Sequence, residues 1–99
     1  MIPNEVMNWI DGEEVPAENQ KTFEKLSPHS GKVICKVSRS TKLEIDRAVL
    51  TAKYAQINWA NTPPVQRGDI LHKICNSLEH KKEEIANIVA QETGKSHKE

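Results

Sequence analysis

The stretch from Trp59 to Lys95 constrains the fold more than any other part of this 99-residue chain. Its start carries Thr62 and Pro63, a pair typical of the first turn of a helix, and its end carries Gly94, the residue type that most often terminates one. Between them, apolar residues recur at the three-and-four spacing of a helix. These residues are Ile70, Leu71, Ile74, Cys75, Leu78, Ile85, Ile88 and Val89. Such a stripe has to be buried against another surface.

The length of this helical pattern does not fit a small domain. A straight helix over 64–92 would be about 43 Å long at about 1.5 Å per residue. A compact domain of about 100 residues has a radius of gyration near about 13 Å, and so a diameter of roughly 33 Å. Charged residues at 79–82 interrupt the stripe, and we predict a kink or a helix-to-helix junction there. Helix is predicted over about 63–93, with an apolar face that extends beyond the core this chain can build.

A second helix is predicted over about 41–57. Thr41 and Glu44 have the spacing of a capping box, in which each residue satisfies a free N–H group of the other. An apolar stripe follows at helical spacing, formed by Ile45, Ala48, Val49, Ala52 and Ala55. The alanines make this face flat, which favours close packing on a sheet or on another helix.

Upstream of residue 41 the pattern changes to short strands, predicted over about 8–38. The segment 8–12 ends in Asp-Gly, the turn chemistry of a hairpin. Residues 21–26 are interpreted as a strand whose side chains alternate between two sides, with Thr22, Glu24 and Leu26 on one of them. In 33–37 the side chains of Val33, Cys35 and Val37 share one face. The predicted fold is α+β, with short antiparallel strands followed by two or three helices, and so few short strands need a covering surface.

Composition narrows the range of functions. The formal net charge is zero and 36% of the residues are hydrophobic, without a basic patch interleaved with aromatics. A nucleic-acid partner is therefore disfavoured. Two cysteines without a CxxC motif indicate a reducing compartment, and the N-terminus lacks a signal-peptide pattern. No run is long enough to span a bilayer, so we expect a cytoplasmic protein without a membrane partner.

Cys35 and Cys75 are the candidate nucleophiles. Both lie on apolar stripes, and a reactive thiol needs a base, a cation or a helix start beside it. We therefore predict that both are buried as small hydrophobic residues. His72 lies three residues before Cys75 and could share a metal ion with it, but two further ligands at metal spacing are missing.

The remaining polar candidates also favour structural roles. Glu79, Glu83 and Glu84 alternate with lysines, which is typical of a solvated helix face. Gly68 interrupts a helical pattern, and we interpret it as a point of close packing against a neighbouring element. No GxGxxG or GxxxxGK[ST] motif occurs in the sequence. We therefore assign no catalytic, cofactor-binding or metal-binding residue to this chain.

Taken in order, five segments resemble the N-terminal region of the NAD(P)-dependent aldehyde dehydrogenases. They are NWIDG at 8–12, SPHSGKVICKV at 27–37, DRAVLTAKYA at 46–55, W-x3-PP-x2-RG-x-IL over 59–71, and ETGK at 92–95. Together they cover nearly the whole chain. The sequence departs from the family at Glu14, where an aromatic residue is frequent, and at Ser27, where asparagine is usual.

The resemblance implies that 1–99 is the N-terminal part of a Rossmann-like α/β enzyme that uses NAD or NADP. In that family a cysteine thiolate attacks the aldehyde, hydride passes to the nicotinamide, and a glutamate assists water in releasing the acid. The corresponding motifs lie downstream of ETGK in the family and are absent here. No cofactor is expected for this chain alone. Its expected partners are the remainder of the fold and, in the complete enzyme, further copies in a homo-oligomer.

Some members of the family hold a structural monovalent cation. The resemblance would place it at the backbone of Lys25 and Leu26 and at the carboxylate of Glu92, although an exposed residue in a last helical turn is the simpler interpretation of Glu92. A different class of function is open as well. A free-standing helical interaction module would use Ile85, Ile88 and Val89 to meet a partner or a second copy.

Overall fold

The computed structural model describes residues 2–97, which form five short strands followed by three helices. The strands are β1 (Glu5–Val6), β2 (Asn8–Ile10), β3 (Glu13–Val15), β4 (Thr22–Leu26) and β5 (Val33–Ser38). The helices are α1 (Lys42–Asn61), α2 (Pro64–His80) and α3 (Lys82–Thr93). The predicted order of short strands and then helices is confirmed.

β2 and β3 form an antiparallel hairpin in which Ile10 pairs with Glu13. The turn residues Asp11 and Gly12 have φ of 54° and 76°. Positive φ at both central positions is what the tightest hairpin turns require, and Asp-Gly adopts it at low cost. Glu14 pairs with Trp9, so the departure from the family pattern at this position leaves the hairpin intact.

The other sheet has the order β1-β5-β4 and is mixed. β4 and β5 are antiparallel, but β1 runs parallel to β5, with Glu5 opposite Lys36. Within the predicted strand region, 8–38, both pairs are antiparallel as predicted, whereas β1 lies before that region and was not predicted. A parallel pair needs a long crossover connection, and here the β2–β3 hairpin and β4 provide it. No short-range pattern in a two-residue strand signals such a partner.

A β-bulge alters the predicted faces of β5. Lys25 pairs with Cys35 and Leu26 with Val33, so Ile34 has no opposite residue in β4. An extra residue of this kind re-aims the side chains before it. Cys35 is buried, whereas Val33 is 50% exposed, so the face predicted to hold Val33, Cys35 and Val37 is not uniformly buried.

α1 starts with the predicted capping box. Thr41 accepts from the Leu43 backbone, and the Glu44 carboxylate accepts from the Thr41 backbone 2.5 Å away. The helix ends four residues later than predicted, at Asn61 instead of about residue 57. The asparagine-containing run 58–61 stays helical because the first true obstacle is Pro63, which lacks an N–H and disfavours helix at the residue before it.

Thr62 does not cap α2, which corrects its predicted role. It closes α1 instead, and its hydroxyl donates to the Asn58 carbonyl 2.9 Å away. The N-cap of α2 is Pro63, which makes no side-chain hydrogen bond, and Pro64 occupies the first turn. Two consecutive prolines force the extended backbone that separates the helices, so α2 starts without a hydroxyl cap.

The predicted interruption near 79–82 is a junction at one residue, Lys81. Its φ and ψ of −104° and 12° end α2, and its N–H donates to the Leu78 carbonyl 3.1 Å away. α3 ends at Gly94, where φ is 77° and the N–H donates to Ala90. The glycine terminates the helix in the left-handed region, as predicted.

The described chain builds very little core. Its buried apolar residues are Ile10, Ala17 and Cys35, and all three belong to the strand region. No residue of α2 or α3 is buried. The radius of gyration is 17.0 Å, against about 13 Å for a compact domain of about 100 residues. The molecule is 48 × 38 × 16 Å in extent, too thin to cover both faces of its helices.

Candidate functional site

A strip of apolar side chains without a covering surface in residues 2–97 runs along α2 and α3. It is formed by Ile70, Ile74 and Leu78 at four-residue spacing on α2, continued by Ile85 and Val89 on α3. We call this strip the α2–α3 apolar face. Each of its residues keeps between 39% and 54% of its surface exposed. Exposed apolar area on this scale marks an interaction surface.

An open groove of about 550 Å³ lies along this face, where the two helices meet. Leu78, Ile85 and Val89 line it, and Cys75 stands among them. Ser96 and His97, which follow the end of α3, also line it, together with the charged residues Glu79 and Lys82. The groove therefore has an apolar lining with one charge of each sign.

The two cysteines have different environments. Cys35 is 4% exposed within β5, as predicted for a small hydrophobic residue. Cys75 is exposed on α2, so the prediction of burial is wrong for it within this chain. The helical stripe correctly places Cys75 beside other apolar residues, but the surface that would cover the stripe is not supplied by residues 2–97.

No metal-binding cluster occurs in the described part of the chain. His72 is exposed, and no group of three or more His, Cys, Asp or Glu side chains lies close enough to hold an ion among residues 2–97. His80 instead places its Nδ1 atom 2.7 Å from the Asn76 carbonyl one turn earlier. Glu79 and Glu83 are exposed, in keeping with a solvated helix face.

The end of α3 lies beside the turn between β4 and β5. A methyl group added at Gly94 would lie 3.6 Å from Pro28 Cγ and 3.8 Å from the His29 ring. The segments that contain Leu26 and Glu92 are thereby brought to the same end of the molecule. Glu92 is half-buried in the last turn of α3. Ser27 stabilises the turn itself, because its hydroxyl accepts from the backbone of His29, 3.2 Å away.

Glu44 is the one buried carboxylate of the described chain, and its full role is missed by sequence reasoning. One oxygen accepts from the Thr41 hydroxyl at 2.5 Å, and the other accepts from the backbone N–H of Glu18, 26 positions earlier. The Thr41 hydroxyl, with the backbone donors, lowers the pKa of Glu44 from 4.5 to about 2 despite burial. The capping box signals the first contact, but nothing local signals the second.

These features lie on a chain whose relatives are known. A comparison with protein families matches residues 15–99 to the aldehyde dehydrogenase family. The chain belongs to that family. It corresponds to an N-terminal portion of its members.

Two curated aldehyde dehydrogenase relatives illustrate the extent of the match. Malonate-semialdehyde dehydrogenase 1 of Bacillus licheniformis is 36% identical over 94 residues, which are 95% of this chain and 19% of that protein. Cytosolic 10-formyltetrahydrofolate dehydrogenase of Xenopus tropicalis is 38% identical over 95 residues, or 94% of this chain and 10% of that protein. The chain thus spans a fifth or less of the length of these relatives.

Solved structures of the family share the backbone of this chain. A point mutant of betaine aldehyde dehydrogenase from Staphylococcus aureus, in complex with NAD+, has a TM-score of 0.88 at 30% identity. The match covers 93% of this chain and 19% of that one. A 3,6-anhydro-L-galactose dehydrogenase has a TM-score of 0.90 at 26% identity, over 95% of this chain and 20% of that one.

The helix starts of the described residues can be compared with the way proteins hold a nicotinamide dinucleotide. Its pyrophosphate is usually held by free N–H groups at a helix start. The start of α1 is closed by the carboxylate of Glu44, and α2 begins with two prolines that have no N–H. α3 follows directly on α2 and carries Glu83 and Glu84 in its first turn, which repel an anion. The carboxylates at the starts of α1 and α3 disfavour a phosphate at those two positions.

Two further observations concern α2 and the helices generally. A methyl group added at Gly68 would meet nothing within 4 Å, so the close packing predicted for this glycine is not supplied by residues 2–97. In the same part of the chain, every helix is too short or too polar to cross a lipid bilayer.

Proposed function

We propose that this chain forms the N-terminal part of an enzyme that oxidises aldehydes to carboxylic acids with NAD or NADP. The observation that carries the proposal is that family members match almost all of this chain, whereas the chain matches only a fraction of each of them. Family members match 93–95% of this chain in sequence or structure, while the chain covers only 19–20% of the solved structures cited. Solved relatives of this kind bind NAD or NADP, which supports the cofactor class for the complete enzyme.

Within such an enzyme the role of residues 1–99 is architectural. The chain contributes edge strands and three helices, and it leaves catalysis and most of the cofactor binding to residues of the remaining fold. We accordingly assign it no catalytic, cofactor-binding or metal-binding residue. The carboxylates at the starts of α1 and α3 support this assignment, because they disfavour a pyrophosphate at those two positions.

The same proposal includes the assembly, location and partners of the complete enzyme. The complete enzyme assembles as a homo-oligomer in the cytoplasm, without a nucleic-acid or membrane partner. The zero formal net charge supports the exclusion of nucleic acid, since phosphate contacts dominate such binding. A free-standing helical module is not favoured, because the matches to complete enzymes extend through the strands as well as the helices.

The proposal is tested with the purified chain and with a truncated family member. We expect residues 1–99 alone to reduce neither NAD nor NADP when supplied with aldehydes, and to bind neither cofactor by calorimetry. Reduction or tight binding by the chain alone would contradict the proposal. In the second arm, the chain is added to a relative that lacks its matching N-terminal fifth.

This second arm needs a relative whose own excised segment restores activity, which serves as the positive control. With that relative, we expect residues 1–99 to restore aldehyde-dependent reduction of the nicotinamide in part. If the relative's own segment restores activity and this chain neither binds nor restores it, the proposal is wrong.

A further inference from the structure

We propose that the α2–α3 apolar face is the surface on which the remaining four fifths of an aldehyde dehydrogenase chain dock, and that it binds them even when they are a separate polypeptide. The inference rests on the proposed function and adds to it the docking surface and the occupant. It concerns Ile70, Ile74, Leu78, Ile85 and Val89, together with the groove beside Cys75.

The backbone of the face needs no rearrangement to match the family fold. With TM-scores of 0.88 and 0.90, the backbone of the chain already has the shape that it has inside complete enzymes. α2 and α3 are regular helices, and a single residue, Lys81, joins them without a loop. Docking in trans therefore selects the helical conformation of α2 and α3 and requires no other fold of them.

The lining of the groove suits an apolar segment of a protein chain. Leu78, Ile85 and Val89 offer apolar contact, while Glu79 and Lys82 add one charge of each sign. Such a balance repels neither sign of charge and attracts no polyanion. Ser96 and His97 line the same groove, so the polypeptide that follows this segment in the relatives passes beside it. The occupant that fits is the chain continuing from this point.

A second copy of this chain is a poorer occupant. Apolar residues are also exposed along α1, where Leu43, Ile45, Val49, Leu50 and Ile57 keep 51–60% of their surface. A two-fold dimer buries one self-complementary patch on each copy. A dimer formed through the α2–α3 apolar face alone would leave the apolar residues of α1 exposed. A body four times larger can cover both.

The test compares two substitutions that each place one carboxylate on α3. Val89→Asp puts the charge on the α2–α3 apolar face, and Asn87→Asp puts it on the exposed opposite side of the same helix. Val89 is not buried in the free chain, so neither change removes core packing there. Circular dichroism of each variant checks that helix content equals that of the unsubstituted chain.

Both variants and the unsubstituted chain are titrated into the truncated relative, and restored activity is measured against concentration. We expect Asn87→Asp to act at the same concentration as the unsubstituted chain. Val89→Asp should need at least tenfold more, because docking would bury an unpaired charge. Alkylation of Cys75, followed by mass spectrometry of its peptide, should slow by at least tenfold in the complex.

The outcomes separate the surface from the function. Equal activity of Val89→Asp and the unsubstituted chain, or unchanged Cys75 alkylation in an active complex, overturns the docking surface and leaves the proposed function standing. Concentration-dependent protection of Cys75 in the chain alone, with a dimer by sedimentation, identifies a second copy as the occupant and overturns the inference. Failure of the unsubstituted chain alone, beside a working positive control, overturns the proposed function.

Discussion

The carboxylate of Glu44 links the start of α1 to the segment after β3. It accepts from the Thr41 hydroxyl, the Thr41 backbone and the Glu18 backbone, and it is 6% exposed. These donors favour the charged form, chiefly the Thr41 hydroxyl, and lower the pKa to about 2 from 4.5. Because the folded pKa lies below the unfolded one, the unfolded state binds the proton first as pH falls.

The contact of Glu44 with its donors is therefore expected to stabilise the fold fully above pH 4.5, and this contribution should be lost as pH falls from there towards about 2. The side-chain carbon signal of Glu44, followed by NMR against pH, should titrate near the lower value. Thr41→Val, which removes the largest donor, should move the midpoint upwards. A Glu44 midpoint near 4.5 in the unsubstituted chain would refute the network.

Gly68 and Gly94 allow the same substitution to be compared in two backbone settings. Gly68 lies inside α2 with open space around it, whereas Gly94 has φ of 77° and lies against Pro28. Gly68→Ala should stabilise α2 by about 0.5–1 kcal/mol, the usual gain in a helix interior. Gly94→Ala should destabilise the end of α3, since alanine is strained at positive φ. Amide hydrogen exchange reports both effects.

The Gly68 substitution also tests what covers α2 in a complete enzyme. If the remaining fold packs closely on Gly68, Gly68→Ala should raise the helicity of the free chain and still weaken docking to the truncated relative. Gains in both measurements would show that no neighbour approaches this glycine. The sequence-based interpretation of Gly68 would then be wrong for the assembled enzyme as well as for the described chain.

At the scale of elements, the two threonines at helix ends have unequal roles. Thr41 caps α1 through its side chain, so Thr41→Ala should cost about 1 kcal/mol. Thr62 only donates to the Asn58 carbonyl, which water can replace at this half-buried site, so Thr62→Ala should cost less. The exchange rates of amides in the first turns of α1 and α2 measure the difference. A larger cost at Thr62 would restore its predicted role as a cap of α2.

The elements also show which features local sequence determines. Asp11-Gly12, the Thr41 capping box and Gly94 were predictable because their backbone requirements are met by residues close in sequence. The family resemblance indicated the order of strands and helices. The parallel pairing of β1 and the bulge at Ile34 were not predictable, since each depends on a strand distant in sequence. The exposure of Cys75 depends on a partner surface that residues 2–97 do not provide.

At the scale of the whole molecule, the hydrophobic core is small for the number of strands and helices that the chain forms. The described chain buries three apolar residues, all in the strand region, whereas all three helices carry exposed apolar strips. Hydrophobic burial is the main favourable term in folding. The most extensive contacts between elements join β4 and β5, and those between α2 and α3 are few. Stability should therefore be uneven along the chain, with α2 and α3 opening at the lowest free-energy cost.

This unevenness gives a prediction for the free and the docked chain. In residues 1–99 alone, amides of α2 and α3 should exchange faster than those of β4 and β5, and an environment-sensitive apolar dye should bind. Addition of the truncated relative should slow exchange most along α2 and α3 and displace the dye, because the α2–α3 apolar face becomes covered. Strong, cooperative protection of all three helices in the free chain would contradict this expectation. It would mean that the short core suffices, and would favour the self-contained helical module over a segment that is completed by the rest of its enzyme.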